Sequence, residues 1–135
     1  MGRPRLLILL DTHVWIWLNL EPNRLSTAAI DRLQGEPALA LSPVSIYETL
    51  VAIDKGRVLS TVPGSDLVEK WMAELPVTLI PVTAEICVLA RTLTFPHQDP
   101  FDRIIAATSF SRRIPLMTED GNLRSISWLN TISAR

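Results

Sequence analysis

Cysteine, histidine and lysine are scarce in this sequence, and each scarcity removes a class of function. The single cysteine, Cys87, cannot form an intramolecular disulfide. It falls in an apolar helical pattern, so a buried, unreactive thiol is expected there. The histidines, His13 and His97, stand far apart and offer no zinc-ligand pairing. His13 is expected in the first turn of a helix, and His97 in a loop that orients the turn at Asp99. Lysine occurs only at Lys55 and Lys70, neither at a late strand end, which counts against a receiver-type phospho-acceptor domain. Haloacid-dehalogenase chemistry would want a second aspartate two residues after Asp11, where the chain has His13. No G-x-S-x-G elbow is present for a serine hydrolase.

Two further absences bear on partners. Positive charge is not in excess: 13 basic residues against 14 acidic ones give a net charge of −1. That balance disfavours broad electrostatic binding of nucleic acid, but not an enzyme that meets its substrate through a metal ion. Long apolar runs are also missing. The stretch from Leu6 to Leu10 follows Arg3 and Arg5, yet Asp11 stops it after five residues. It is too short for a signal peptide or a membrane span, so no membrane association and a reducing cytoplasm are expected.

What is present is apolar and ordered. Hydrophobic residues make up 47% of 135 positions, which excludes a disordered tail and suits one domain over residues 1–135. The unbroken run at 6–10 reads as a strand buried on both faces. A helix over 12–20 follows, closed by a turn at Glu21, Pro22 and Asn23. Ser26 caps a short helix ending near Gly35, and residues 38–41 form a strand. Ser42 and Pro43 open a helix that reaches Lys55 and stops at Gly56. Helices over 65–75 and 83–93 flank a strand at 77–81, and Asp99-Pro100 begins a long helix to about Arg112. A strand at 115–118, a turn at Asp120, Gly121 and Asn122, and an edge strand at 128–132 complete the pattern. Alternation of this kind predicts an α/β domain, with a mostly parallel sheet of four or five strands between helices. Ligands in such folds bind beyond the carboxyl ends of the strands, where Asp11 and Asp120 are placed.

Four acids stand out. Asp11 is either a helix cap or a ligand, and Asp120 either a turn residue or a ligand. Glu48 shares a helical face with Val44, Val51 and Ala52, so it needs a partner, an arginine or a cation. Asp102 falls at the third helical position after the Asp99 cap, yet shares a face with Ile105 and Ala106. Two carboxylates about 4 Å apart repel by roughly 4 kcal/mol at an effective dielectric of about 20. Four acids on one rim therefore call for a hard divalent cation, Mg²⁺ or Mn²⁺.

The ordered segments LLDTHVW (residues 9–15), LSPVSIYE (41–48), HQDPFDR (97–103) and LMTED (116–120) resemble a PIN-domain ribonuclease of the VapC type, the toxin half of a bacterial toxin–antitoxin pair. The likeness covers residues 6–128, while the tail from Ser125 to Arg135 matches poorly and Trp128 is expected to pack on the sheet edge. The resemblance implies a three-layer PIN-like domain with Asp11, Glu48, Asp102 and Asp120 as catalytic, metal-holding acids, supported by Thr118, Asp99 and Thr12. It implies Mg²⁺-dependent endoribonuclease activity by metal-activated water, in a type II toxin–antitoxin system. A non-catalytic PIN domain that binds RNA or protein is the alternative. Arg103, Arg112, Arg113 and Arg124 follow or flank the last acids and are candidates for RNA contact or for ordinary solvated surface. Helix 12–20 is apolar on more than one face, which suits either core or a covered surface. For that surface the family offers a homodimer contact and an antitoxin groove, with DNA reached only through the antitoxin.

Overall fold

The computed structural model describes residues 6–35, 37–96 and 98–135; the expectation for His97 lies outside them. Five parallel strands form one sheet in the order β3-β2-β1-β4-β5: β1 (Leu7–Leu10), β2 (Ala38–Leu41), β3 (Thr78–Leu79), β4 (Leu116–Thr118) and β5 (Thr131–Ser133). Between β1 and β2 run α1 (Thr12–Leu20) and α2 (Thr27–Leu33); α3 (Pro43–Asp54) and α4 (Gly64–Glu74) join β2 to β3. Then α5 (Ala84–Thr92) and α6 (Pro100–Arg112) lead to β4, and α7 (Gly121–Arg124) precedes β5.

Side chains of β1 alternate between two cores, which explains its unbroken apolar run. Ile8 and Leu10 pack with Val14, Trp15 and Trp71 on one face, and Leu9 packs with Ile105, Ala106 and Leu116 on the other. Leu9 and Leu10 are fully buried, so truncating either to alanine would cost about 2–5 kcal/mol. Strand order reverses at β1: β2 and β3 extend the sheet one way, β4 and β5 the other. Ligand crevices open at such switch points, beyond the carboxyl ends of the two diverging strands. Here those ends are Asp11, just past β1, and Thr118, the last residue of β4. The Asp11 amide donates to the Met117 carbonyl at 3.0 Å, which ties the two ends together.

Several sequence expectations need correction. The strand expected at 77–81 is only Thr78–Leu79, because both residues lie exposed at the sheet edge. The edge strand expected at 128–132 falls instead at Thr131–Ser133. Trp128 packs against the cluster of Leu9, Leu116 and Leu129; its ring also meets Phe95 and Phe110, and its Nε1 donates to the Thr94 carbonyl at 3.1 Å. The turn at Asp120 continues into α7, and the turn after α1 is a single 3-10 turn, Pro22–Arg24. Cys87 is exposed rather than buried. The buried stripe of α5 is Ile86 and Ala90, one helical turn apart, and Cys87 lies about 100° around from Ile86.

Candidate functional site

Each acid at the switch point is held by a local device that the sequence encodes. Asp11 caps α1, its Oδ1 accepting from the Thr12 amide at 2.8 Å. Its Oδ2 accepts from the Thr118 hydroxyl at 2.6 Å, and Thr118 Oγ1 in turn accepts from the Asp120 amide at 3.0 Å. One buried threonine thus joins the end of β1 to the segment after β4. Asp120 caps α7 through Oδ1 to the Leu123 amide at 3.0 Å. Asp99 caps α6, accepting from the Phe101 amide at 2.9 Å and the Asp102 amide at 3.4 Å. Asp102 then projects from the first turn of α6, and Glu48 from the middle of α3. Thr12 donates its hydroxyl to Ser45 Oγ at 2.9 Å, which fixes α1 against α3 beneath Glu48.

The structure brings Asp11, Glu48, Asp99, Asp102 and Asp120 to one cavity of about 350 Å³, lined also by Thr12, His13, Lys55, Arg57 and Phe101. Its electrostatics are unfavourable to bare carboxylates. Burial and the neighbouring acids Asp11, Asp99, Asp120 and Glu48 push Asp102 up to about 8. Burial raises Asp11 as well, against the pull of His13, the Thr118 hydroxyl and the Thr12 amide. Glu48 is raised by burial, partly opposed by the Thr12 hydroxyl, with Asp11 and Asp99 adding to the rise. Its Oε1 is buried with no hydrogen-bond partner, and no arginine pairs with it among the described residues. The expected ion pair for Glu48 is therefore not the solution the fold adopts.

One expectation changes in kind. Among the described residues, no three His, Cys, Asp or Glu side chains form a group that would hold an ion by themselves. The four acids line a common cavity without closing into such a group. The donor set still fits a hydrated Mg²⁺-class ion. Every donor is a hard oxygen, Glu48 Oε1 lacks a partner, and Mg²⁺ is commonly held by one or two carboxylates with water in its remaining positions.

The arginines separate clearly. Arg103 is buried, its Nε donating to the Ala90 carbonyl at 3.1 Å and its guanidinium lying 5.2 Å from the Phe95 ring centre. It packs α6 against α5 with its Nη1 buried and unpartnered, not on the open surface expected of an RNA contact. Arg112 lies ten residues along α6 from Asp102, roughly 15 Å by helical rise, with Arg113 just beyond it. Arg124 pairs with Glu119 at 3.3 Å. The cations on the cavity itself are Lys55 and Arg57, which the sequence motifs do not mark. Lys55 is seven residues after Glu48, on the same helical face, and that spacing is the signal that could have found it. His13 carries more than its place in a first turn suggests: its Nδ1 lies 3.4 Å from Asp11 Oδ2 and its Nε2 accepts from the Glu119 amide at 3.1 Å. With Nε2 accepting, the Nδ1 edge of the ring faces Asp11. Glu119 also fastens the tail, Oε2 accepting from the Ala134 amide at 3.0 Å beside β5.

A parallel α/β sheet with acids gathered at its switch point is the arrangement of the PIN fold, and the chain belongs to the PIN-domain family, whose model matches residues 8–129. Ribonuclease VapC22 from Mycobacterium tuberculosis is 34% identical over 122 residues, 87% of this chain and 90% of that protein. Among solved structures, VapBC2 from Rickettsia felis, bound to a promoter DNA fragment, gives a TM-score of 0.71 at 13% identity, covering 96% of this chain and 100% of that one. A toxin–antitoxin complex from Klebsiella pneumoniae gives 0.65 at 17% identity, covering 95% and 98%. At those identities the structural likeness speaks to the fold alone.

Proposed function

We propose that this chain, acting as one PIN domain over residues 1–135, is a Mg²⁺-dependent endoribonuclease and the toxin of a type II toxin–antitoxin pair. The observation that carries the reading is the convergence of Asp11, Glu48, Asp102 and Asp120 on one cavity, with three carboxyls raised. The 34% identity to a protein named as a ribonuclease supports RNA as the substrate. Asp11 and Asp102 would hold the ion, with Asp120 and Glu48 completing its surroundings. Bound there, Mg²⁺ (or Mn²⁺) neutralises phosphate charge and acidifies water. Glu48 would hold the ion's far side or orient the attacking water, which would add to phosphorus in line as the 3′ oxygen leaves and takes up a proton. Bond cleavage then leaves a 5′-phosphate and a 3′-hydroxyl. Thr118 and the Thr12 amide keep the Asp11 carboxylate directed into the cavity, while Asp99 and His13 hold the surrounding segments. Lys55 and Arg57 contact the flanking phosphates.

The reading extends to partners. A second groove, of about 510 Å³, runs along α1 and is lined by Ile16, Trp17, Leu20, Val58 and Leu59, with Arg24 and Arg57 at its edge. It suits an amphipathic antitoxin segment, through which DNA would be reached. A homodimer and a cytoplasmic location belong to the same reading; among the described residues no helix is long and apolar enough to cross a membrane. A non-catalytic binding module is the second reading, favoured by the open arrangement of the acids. Cleavage of total cellular RNA by the purified chain, with Mg²⁺ and with chelator, separates the two. Asp11→Asn and Asp102→Asn should abolish cleavage while leaving the fold intact. Undiminished Mg²⁺-dependent cleavage by both variants would sink the assignment.

A further inference from the structure

Beside the acid cavity stands an aromatic pair that the core does not use. Tyr47, next to Glu48 on α3, is 61% exposed. Its ring lies 5.7 Å from that of Phe101, next to Asp102 on α6, with the planes tilted by 47°. Phe101 itself lines the cavity. Elsewhere, Trp15 and Trp71 meet edge to face in the core, Trp128 bridges Phe95 and Phe110, and Trp17 lies under Arg24 and Arg135 in the groove along α1. Tyr47 is the only tyrosine in the chain, and its ring faces water at the rim of the acids.

We infer that Tyr47, backed by Phe101, is a stacking platform for one unpaired nucleobase adjoining the phosphodiester that is cut. The inference rests on the ribonuclease reading above and adds a residue that positions the substrate. A phosphodiester seated among the acids puts the base of a neighbouring nucleotide at the cavity rim. An exposed ring there offers a π-face that any base can use, without hydrogen-bond readout. Lys55 and Arg57 line the same cavity and supply the phosphate contacts that stacking lacks. Bases inside a duplex are already stacked and present no face, so Tyr47 favours single-stranded RNA over paired RNA.

The test uses short single-stranded RNAs carrying 2-aminopurine, or an abasic nucleotide, at each successive position. The wild-type chain, Tyr47→Ala and Tyr47→Phe are compared for cleavage, and binding emission is read in the Asp11→Asn background. At one position beside the cut, emission should change with tyrosine or phenylalanine at the platform and not with alanine. Tyr47→Ala should lower kcat/KM on the order of tenfold, mostly through KM, and Tyr47→Phe should restore it. An abasic nucleotide at that position should lower wild-type cleavage to a similar degree and leave Tyr47→Ala unaffected. Equal cleavage and equal emission in wild type and Tyr47→Ala would overturn the platform and leave the ribonuclease reading standing. An emission change that depends on Tyr47, without cleavage by the wild-type chain, would do the reverse. A loss in Tyr47→Ala that follows a change in oligomeric state on gel filtration, with abasic RNA still discriminated, would also overturn it.

Discussion

Replacing Asp102 by asparagine should stabilise the metal-free protein at alkaline pH while destroying its activity. Asp102 is pushed up to about 8 by burial and by four neighbouring acids. A carboxyl raised on folding contributes stability that is fully present below its unfolded pKa of about 4, and that contribution is lost as pH rises through the folded pKa. The chelated wild-type protein should therefore weaken between about pH 4 and pH 8, as Asp102 is forced to ionise among its neighbours. Taken whole, a rise of this size would be worth several kcal/mol, but the side chain is partly exposed and solvent screening reduces it to about 1–2 kcal/mol. The introduced asparagine cannot ionise, so at about pH 8 the variant should melt roughly 3–8 °C above the chelated wild type, and at about pH 5 the two should coincide. Mg²⁺ should close the gap by stabilising the wild type and leaving the variant nearly unmoved. The assay is thermal unfolding followed by circular dichroism across that pH range, in chelator and in Mg²⁺. A variant less stable than the wild type at alkaline pH in chelator, or a gap that does not change with pH, would refute the reasoning.

Other perturbations probe the supports. Thr118→Val removes the hydroxyl between Asp11 Oδ2 and the Asp120 amide without changing shape, and should cost about 1.5–3 kcal/mol in urea unfolding. Alanine at Lys55 or Arg57 should raise KM and flatten the salt dependence of cleavage, with kcat little changed; an unchanged salt slope would exclude them as phosphate contacts. Glu119→Ala should free the Ala134 amide to exchange with solvent deuterium and cost about 1–3 kcal/mol, which native-state exchange would read directly. Exposed Cys87 should react fully with a thiol reagent in the native protein, whereas slow labelling that follows unfolding would show it buried.

The parts of this fold that were legible in the sequence are those fixed by local chemistry. Ser26, Ser42 and Asp99 cap the helices expected of them, and Gly56 takes a positive φ of 72° just after α3. The apolar runs marked the inner strands β1, β2 and β4 because burial on both faces favours apolar residues, Thr118 with its hydrogen-bonded hydroxyl being the exception. Edge elements were misplaced for the converse reason. β3 and β5 have one neighbour each, so pairing and the Glu119 contact decide where they lie, not their own hydrophobicity. Likewise, the burial of Arg103 was illegible because it depends on the carbonyl of Ala90, thirteen residues away on another helix. Cys87 misled because an apolar pattern names a helix without saying how much of its circumference is covered.

For the acids, capping a helix and lining the cavity do not exclude each other. Asp11, Asp99 and Asp120 each cap a helix, and each faces the same cavity. A capping carboxylate is held by backbone amides at the positive end of a helix, which lowers the cost of keeping it charged. Capping also fixes its direction, since Asp120 and Asp11 each commit Oδ1 to their own helix. Three helix starts aimed at one switch point can therefore gather carboxylates that would otherwise repel one another apart. Asp102 and Glu48 are the exceptions, projecting from within α6 and α3 rather than capping them. Both are raised, and Glu48 keeps an unpartnered buried oxygen. Asp11 is raised as well despite its cap, so these three carboxyls are where a cation's arrival should change the molecule most.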